Sequence, residues 1–253
     1  HKVGNFIMTK TLILIPSRMA ATRLPGKPLL KINNLSIVSH VFKRAEEANI
    51  GEVIVATEDQ EILEDVLKNG GKAILTGSSH KTGTDRIFEA YKKLDFKNID
   101  YVLNLQGDEP NINKDDIITL NNLMINNNAD IGTLAARIEN DKIQTNKNIV
   151  KVVTENKLEK SNFPIALNFM RENISKIYEN IYHHIGIYSY KVKALENFVT
   201  LDQTNNEIKN KLEQLRALDN KLKINVALAK SSPIGVDTEE DYLAIKKIME
   251  YKS

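Results

Sequence analysis

The chain of 253 residues predicts an α/β fold, a mainly parallel sheet flanked by helices, and three observations carry that expectation. Short apolar strand runs alternate with helical runs through the first half, the pattern of right-handed βαβ units. Two loops, one after Ile15 and one after Leu105, follow directly on apolar strands, at the carboxyl ends where such sheets bind ligands. The length suits a single unit, because α/β domains of up to about 250 residues are routine.

The elements follow in order. Leu12 to Ile15 is an unbroken apolar strand that stops at Pro16. Helix Ser36 to Ala48, strand Val53 to Ala56, helix Asp59 to Lys68, strand Ala73 to Leu75 and helix Asp85 to Leu94 continue the alternation. In strand Tyr101 to Leu105, apolar Val102, Leu103 and Leu105 lead straight into Gln106-Gly107-Asp108. A helix from Lys114 to Ile125 precedes strands near Asp130 to Ala136 and Val150 to Glu155, an irregular stretch, and a strand from His184 to Tyr190. Helices Glu207 to Asp219 and Glu239 to Tyr251 close the chain around strand Lys223 to Leu228. Asparagine-rich patches at 126–128 and around Asn146 and Asn148 read as loops. Residues 1–7 read as a vector-derived remnant ahead of an initiator Met8, which leaves 8–253 as one domain.

Composition excludes several classes. With 35 basic and 33 acidic residues the net charge is +2, so no long-range field selects nucleic acid or a membrane surface, and any anion site is local. No cysteine is present, which rules out a disulfide scaffold and thiolate metal sites and suits a reducing cytoplasm. No apolar run approaches the roughly 18 residues of a spanning helix, and the start HKVGNFI lacks a signal peptide's organisation. A cytoplasmic protein with no membrane insertion is expected.

The most informative run is ILIPSRMAATRLPGKPLL, from Ile13 to Leu30. Arg18, Arg23 and Lys27 arrive within ten residues beside Gly26, which lets a backbone approach a ligand closely. Such a cluster suits phosphate. A P-loop requires Ser or Thr after Gly-Lys, and here Pro28 follows Lys27; the dinucleotide fingerprint fails because Gly26 is the only glycine between Met8 and Gly51. Asp108, a carboxylate behind Gly107 at a strand end, suits a Mg²⁺ ion that bridges to substrate phosphates. Gln106, an amide at that strand end, can meet sugar hydroxyls or a base edge. Glu109 beside it reads as a solvated or ion-paired carboxylate.

The glycine-proline loop resembles that of nucleotidyltransferases that activate sugars, and the blocks IPSRMAATRLPGKPL, HKTGTDRI, NLQGDEP, HHIGIYSY, LEQLRAL and GVDTEEDY stand in the order of the 3-deoxy-manno-octulosonate cytidylyltransferase (CMP-Kdo synthetase) family. Together they cover nearly all of the chain after Met8. The resemblance implies a Rossmann-like sheet of the nucleotide-diphospho-sugar transferase type with a smaller dimerisation subregion in the irregular middle, hence a homodimer. It implies transfer of CMP from CTP to the anomeric 2-hydroxyl of Kdo, with pyrophosphate released, for lipopolysaccharide biosynthesis. Catalytic roles fall on Arg18, Lys27 and Asp108, with Mg²⁺ held by Asp108 and Asp237. Nucleotide contacts fall on Arg18, Arg23, Lys27, Thr84, Asp85 and Gln106. Sugar contacts fall on Arg86, Gln106, Arg171, His184, Tyr188, Glu213 and Gln214, since an acidic sugar needs a cation and polar partners.

Structural roles compete with several of these. Asp237 also suits the cap of the helix that follows, and Thr84 and Asp85 suit the cap of theirs. His184 and Tyr188 alternate with Ile185 and Ile187 as packed strand residues would. Glu213 and Gln214 share a helix with the core stripe Leu212, Leu215 and Leu218, where a solvated face is ordinary. The chain departs from the family at ALNFMRENIS, Ala166 to Ser175, where family members carry a tract like ALYFSRATIP: Arg171 aligns, but Met170 replaces a serine. Lys211 stands where the family usually has serine. An amino-substituted Kdo or a sialic acid is the alternative substrate, and an idle nucleotide-binding regulatory subunit the alternative class. The presence of Asp108 and Lys27 favours an active enzyme.

Overall fold

The computed structural model describes residues 9–173, 179–232 and 234–251. Residues 1–7 and the end of the divergent tract at Ser175 lie outside them. Strand β1 (Thr11–Ser17) is followed by a short hairpin, β2 (Lys31–Ile32) and β3 (Leu35–Ser36), then α1 (Ile37–Glu47), β4 (Gly51–Thr57), α2 (Gln60–Lys68), β5 (Ala73–Leu75) and α3 (Gly83–Leu94). Strand β6 (Tyr101–Asn104) and α4 (Lys114–Asn127) lead to β7 (Ile131–Ala136), α5 (Asp141–Thr145), β8 (Lys151–Thr154), β9 (Ala166–Met170) and β10 (Ile181–Lys191). The chain ends with α6 (Val192–Thr200), α7 (Asn205–Asn210), α8 (Gln214–Asp219), β11 (Ile224–Leu228) and α9 (Glu239–Tyr251).

The main sheet runs in the order β11-β7-β10-β6-β1-β4-β5, with β8 and β9 added beside the first part of β10. Along that path β10 alone is antiparallel to both its neighbours; β1 lies parallel to β4 and β6, and β7 parallel to β11. The expected mainly parallel sheet is therefore present. The central strands β1, β4 and β6 are largely apolar because helices cover both faces. Ile13 and Ile15 pack with Val41, Phe42, Ile62 and Leu120 on one face, whereas Leu12 and Leu14 pack with Ile87, Leu195, Phe198 and Leu215 on the other.

Three expectations are corrected. The irregular stretch contains a strand, β9, which pairs antiparallel with β8 and forms an edge of the sheet. Helix α6 follows β10 directly. The single helix expected from Glu207 to Asp219 is two helices, because Lys211 adopts φ 53°, the left-handed conformation that ends a helix.

Candidate active site

Because β1 and β6 are parallel neighbours with Leu14 opposite Asn104, the two charged loops leave the sheet side by side. Gly107 permits their closeness: a Cβ there would stand 3.0 Å from the Pro16 carbonyl oxygen. Gly26, at φ 75°, turns the first loop back so that its N–H donates to the Met19 carbonyl at 3.0 Å, which folds Arg18, Arg23 and Lys27 around one space. A third segment joins through the Val236 N–H, which donates to the Asp108 carbonyl at 2.8 Å and brings Asp237 to the same place.

The result is a cleft of about 650 Å³ lined by Arg18, Arg23, Lys27, Arg86, Asp108 and Asp237, among others. Its charges pair with one another: Lys27 Nζ lies 3.3 Å from Asp108 Oδ2, and Arg23 Nη1 lies 2.8 Å from Asp237 Oδ2. Asp237 is not the cap of α9. Thr238 caps α9, accepting from the Asp241 N–H at 3.1 Å, while the Asp241 carboxylate accepts from the Thr238 N–H at 3.1 Å. The Asp237 carboxylate is thus left to the cleft. Similarly, the cap of α3 is Thr82, whose hydroxyl accepts from the Asp85 N–H at 3.2 Å and donates to the Asp85 carboxylate at 3.0 Å. Neither Thr84 nor Asp85 caps it, and Asp85 lines neither cavity described here.

No group of three or more His, Cys, Asp or Glu side chains able to hold a metal occurs among the described residues. Two carboxylates from separate segments inside a cationic cleft nonetheless fit Mg²⁺, which takes one or two protein carboxylates and completes its shell with phosphate oxygens and water. Glu109 is half-buried and makes no ion pair with another described residue. Its Oε2 is buried without a hydrogen-bond partner, and burial, followed by the charge of Asp108, pushes its carboxyl up to about 8.

A second cavity of about 170 Å³ opens beside the first, sharing Gly83 and Gln106 with it. Thr84, Asn104, Tyr188, Glu213 and Gln214 line it, backed by Tyr190 and Phe198. Three of its polar atoms, Asn104 Oδ1, the Tyr188 hydroxyl and Glu213 Oε1, are buried without partners. Buried polar atoms are ordinarily satisfied, so such a group marks a place for a polar ligand or water. Burial pushes the Glu213 carboxyl up, and the Arg216 charge is among the influences that oppose it.

Tyr188 reaches this cavity through an irregularity in β10. The register with β7 shifts between Ile185 and Tyr188, and the Thr133 hydroxyl, 2.6 Å from the Ile187 carbonyl and 3.2 Å from that of Ile185, ties the bulge down.

The other sugar candidates lie elsewhere. His184 Nε2 is 2.9 Å from Thr133 Oγ1, and its ring stands edge-on to Phe169 with centroids 5.0 Å apart; it lines neither cavity. Arg171 Nε donates to the Asn210 carbonyl and Nη2 to that of Lys211, both at 3.3 Å, so it braces the turn before α8 from outside. Arg86 does line the larger cleft, but its guanidinium is buried, donating to the Thr76 hydroxyl at 2.5 Å and the Gly77 carbonyl at 3.1 Å.

Residues 12–224 match the family model described as "Cytidylyltransferase". The chain belongs to the cytidylyltransferase family. It is 45% identical to the 3-deoxy-manno-octulosonate cytidylyltransferase of Nitrobacter hamburgensis over 95% of this chain and 93% of the relative. It is 46% identical to that of Thermodesulfovibrio yellowstonii over 94% and 98%. The solved structure of a CMP:2-keto-3-deoxy-manno-octonic acid synthetase complexed with CTP superposes with a TM-score of 0.88 at 33% identity, covering 97% of this chain and all of that one.

Sequence reasoning overlooked Asn104, Tyr190 and Phe198 in the smaller cavity, and His80 and Lys81 in the larger. Asn104 carried the one available signal, a polar residue inside an otherwise apolar strand.

Proposed function

We propose that this enzyme transfers CMP from CTP to the anomeric 2-hydroxyl of Kdo, a reading supported by relatives named as 3-deoxy-manno-octulosonate cytidylyltransferases. The observation that carries the assignment is the pair of adjoining cavities. One has the cations and carboxylates that a nucleoside triphosphate requires, and the other has unpartnered buried polar atoms suited to a polyhydroxy acid. Gln106 and Gly83, common to both, mark where an alcohol would meet an α-phosphate.

In this reading the hydroxyl oxygen attacks the α-phosphorus, the bond from that phosphorus to the bridging oxygen breaks, and pyrophosphate leaves with the bond's electron pair; the hydroxyl proton passes to solvent. Arg18, Arg23 and Lys27 hold the phosphates and stabilise charge as it moves to the leaving group. Lys27 and Arg23 must first exchange their carboxylate partners for phosphate oxygens. That exchange frees Asp108 and Asp237 to hold Mg²⁺, which when bound supplies further charge neutralisation at the phosphates. Gln106, Tyr188, Glu213 and Gln214 orient the sugar by hydrogen bonds. Asp85, Arg171 and His184 act from outside the cavities, through the segments they support. The reading places 8–253 as one working domain, a homodimer in the cytoplasm that supplies CMP-Kdo for lipopolysaccharide. No helix of the described residues is long and apolar enough to cross a membrane.

Pyrophosphate release with CTP, Mg²⁺ and Kdo, compared with the amino analogue, sialic acid, no sugar and UTP, tests the assignment. Release that depends on Kdo and CTP is expected; release without sugar, or only with sialic acid, overturns it. Asp108→Ala is expected to abolish release while retaining the native circular dichroism, and near-parental activity would remove the proposed metal ligand.

A further inference from the structure

Behind the smaller cavity, Glu207 and Arg216 form a buried bidentate ion pair. Arg216 Nε donates to Glu207 Oε1 at 2.9 Å and Nη2 to Oε2 at 2.6 Å, with side-chain exposures of only 4% and 5%. Glu207 is also the third residue of a capping box. Its Oε1 accepts from the Thr204 N–H at 3.1 Å, and its own N–H donates to the Thr204 hydroxyl at 3.2 Å. Its carbonyl accepts from the N–H groups of Lys211 and Leu212, closing the left-handed turn that delivers Glu213 and Gln214 to the cavity. Arg216 meanwhile lies 4.8 Å from the ring centroid of Phe198, which lines that cavity's wall. One ion pair thus links the start of α7, the turn, the start of α8 and the aromatic wall.

A buried pair of this kind generally adds little net stability over apolar residues of the same volume, so stability alone is a weak reason for one here. What it does add is geometry. The bidentate fork fixes distance and angle together.

We propose that Glu207 and Arg216 are positioning residues for the sugar: their pairing sets where Glu213 and Gln214 stand in the smaller cavity. The inference rests on reading that cavity as the Kdo pocket. Neither residue touches the cleft assigned to CTP, so loss of the pair is felt by one substrate and not by the other. Glu207→Gln turns an N–H toward the Arg216 guanidinium while keeping shape, and Arg216→Lys keeps charge while losing the fork.

Steady-state kinetics on both variants and on the double variant, with thermal unfolding of each, form the test. The KM for Kdo is expected to rise about tenfold or more in each single variant, because a displaced turn forfeits about one hydrogen bond from Glu213 or Gln214 to the acidic sugar. The KM for CTP is expected to stay within about twofold, and the double variant to be no worse than the poorer single one, as for residues acting as a unit. A purely structural pair would lower the unfolding midpoint and leave both KM values of the folded enzyme unchanged, which overturns the proposal. A parallel rise of both KM values overturns it as well. Should the parent show no Kdo-dependent release, the pocket assignment and this inference fall together; Kdo-dependent release in the parent with an unmoved KM in the variants removes the inference alone.

Discussion

Gly107 shows how little room the proposed chemistry leaves. An added Cβ would meet the Pro16 carbonyl oxygen at 3.0 Å and the Ser17 Cβ at 3.5 Å, and at Pro16 the strand is paired with Ala56 of β4. That contact is too close by a few tenths of an ångström, so Gly107→Ala shifts the loop of Asp108 slightly away from the loop of Arg18 and Lys27. A displacement of about 1 Å in a positioned site costs on the order of a hundredfold in rate, and a shift of a few tenths of an ångström correspondingly less. The expected outcome is a measurable fall in kcat/KM for CTP of well under about a hundredfold with secondary structure unchanged, and parental kinetics in this variant would show that the two loops need not be so close. Residues of this kind were legible in the sequence because their types announce their chemistry: three cations and a carboxylate have few reasons to gather in loops at strand ends. Asn104, Tyr190 and Phe198 were not, since strand and helix residues become a pocket wall only through distant packing.

At the scale of elements, strands and helices with strong periodicity lay where the pattern put them, and the discrepancies have local causes. The break at Lys211 was invisible because lysine has no preference for the left-handed conformation it adopts there, whereas Leu212, Leu215 and Leu218 continued a helical stripe across it. Strand β9 was missed because its outward residues, Leu167 and Asn168, are exposed and break the alternation that marks a half-buried strand. The bulge of β10 was equally hidden, yet it carries Tyr188 into the smaller cavity. Thr133 secures it: with the hydroxyl proton on the Ile187 carbonyl, Thr133 Oγ1 accepts from the Nε2–H of a neutral His184. Thr133→Val keeps the volume and strands both partners in a buried place. Unpaired groups of this type cost about 1–3 kcal/mol. Urea unfolding is expected to report a loss in that range together with a raised KM for Kdo, and an unchanged midpoint would mean that the bulge holds without the hydroxyl.

For the molecule as a whole, a sheet buried on both faces carries ionisable groups into its interior, and their titration sets the acid limit of the fold. His184 titrates at 6.5 when free; burial, and secondarily the neighbouring His183, lowers it to about 3. Burial is also the main influence lowering His183 and His40. The sign follows from which state binds the proton first. As pH falls below 6.5 the unfolded chain protonates while the folded His184 stays neutral, so its contribution is complete above 6.5 and is lost progressively as pH falls toward 3. Each tenfold difference in proton affinity between the folded and unfolded chain is worth about 1.4 kcal/mol, so acidification through this interval costs the fold on the order of a few kcal/mol at this one ring, against the roughly 5–15 kcal/mol that holds a domain folded. His184→Gln retains an N–H for Thr133 and cannot protonate in this range. The unfolding free energy of the parent is therefore expected to fall more steeply than that of the variant between about pH 6.5 and 4, with His183 and His40 contributing a slope common to both. Urea titrations at several pH values measure the difference, and parallel profiles across that interval would show that His184 takes up its proton in the folded state as readily as in the unfolded one.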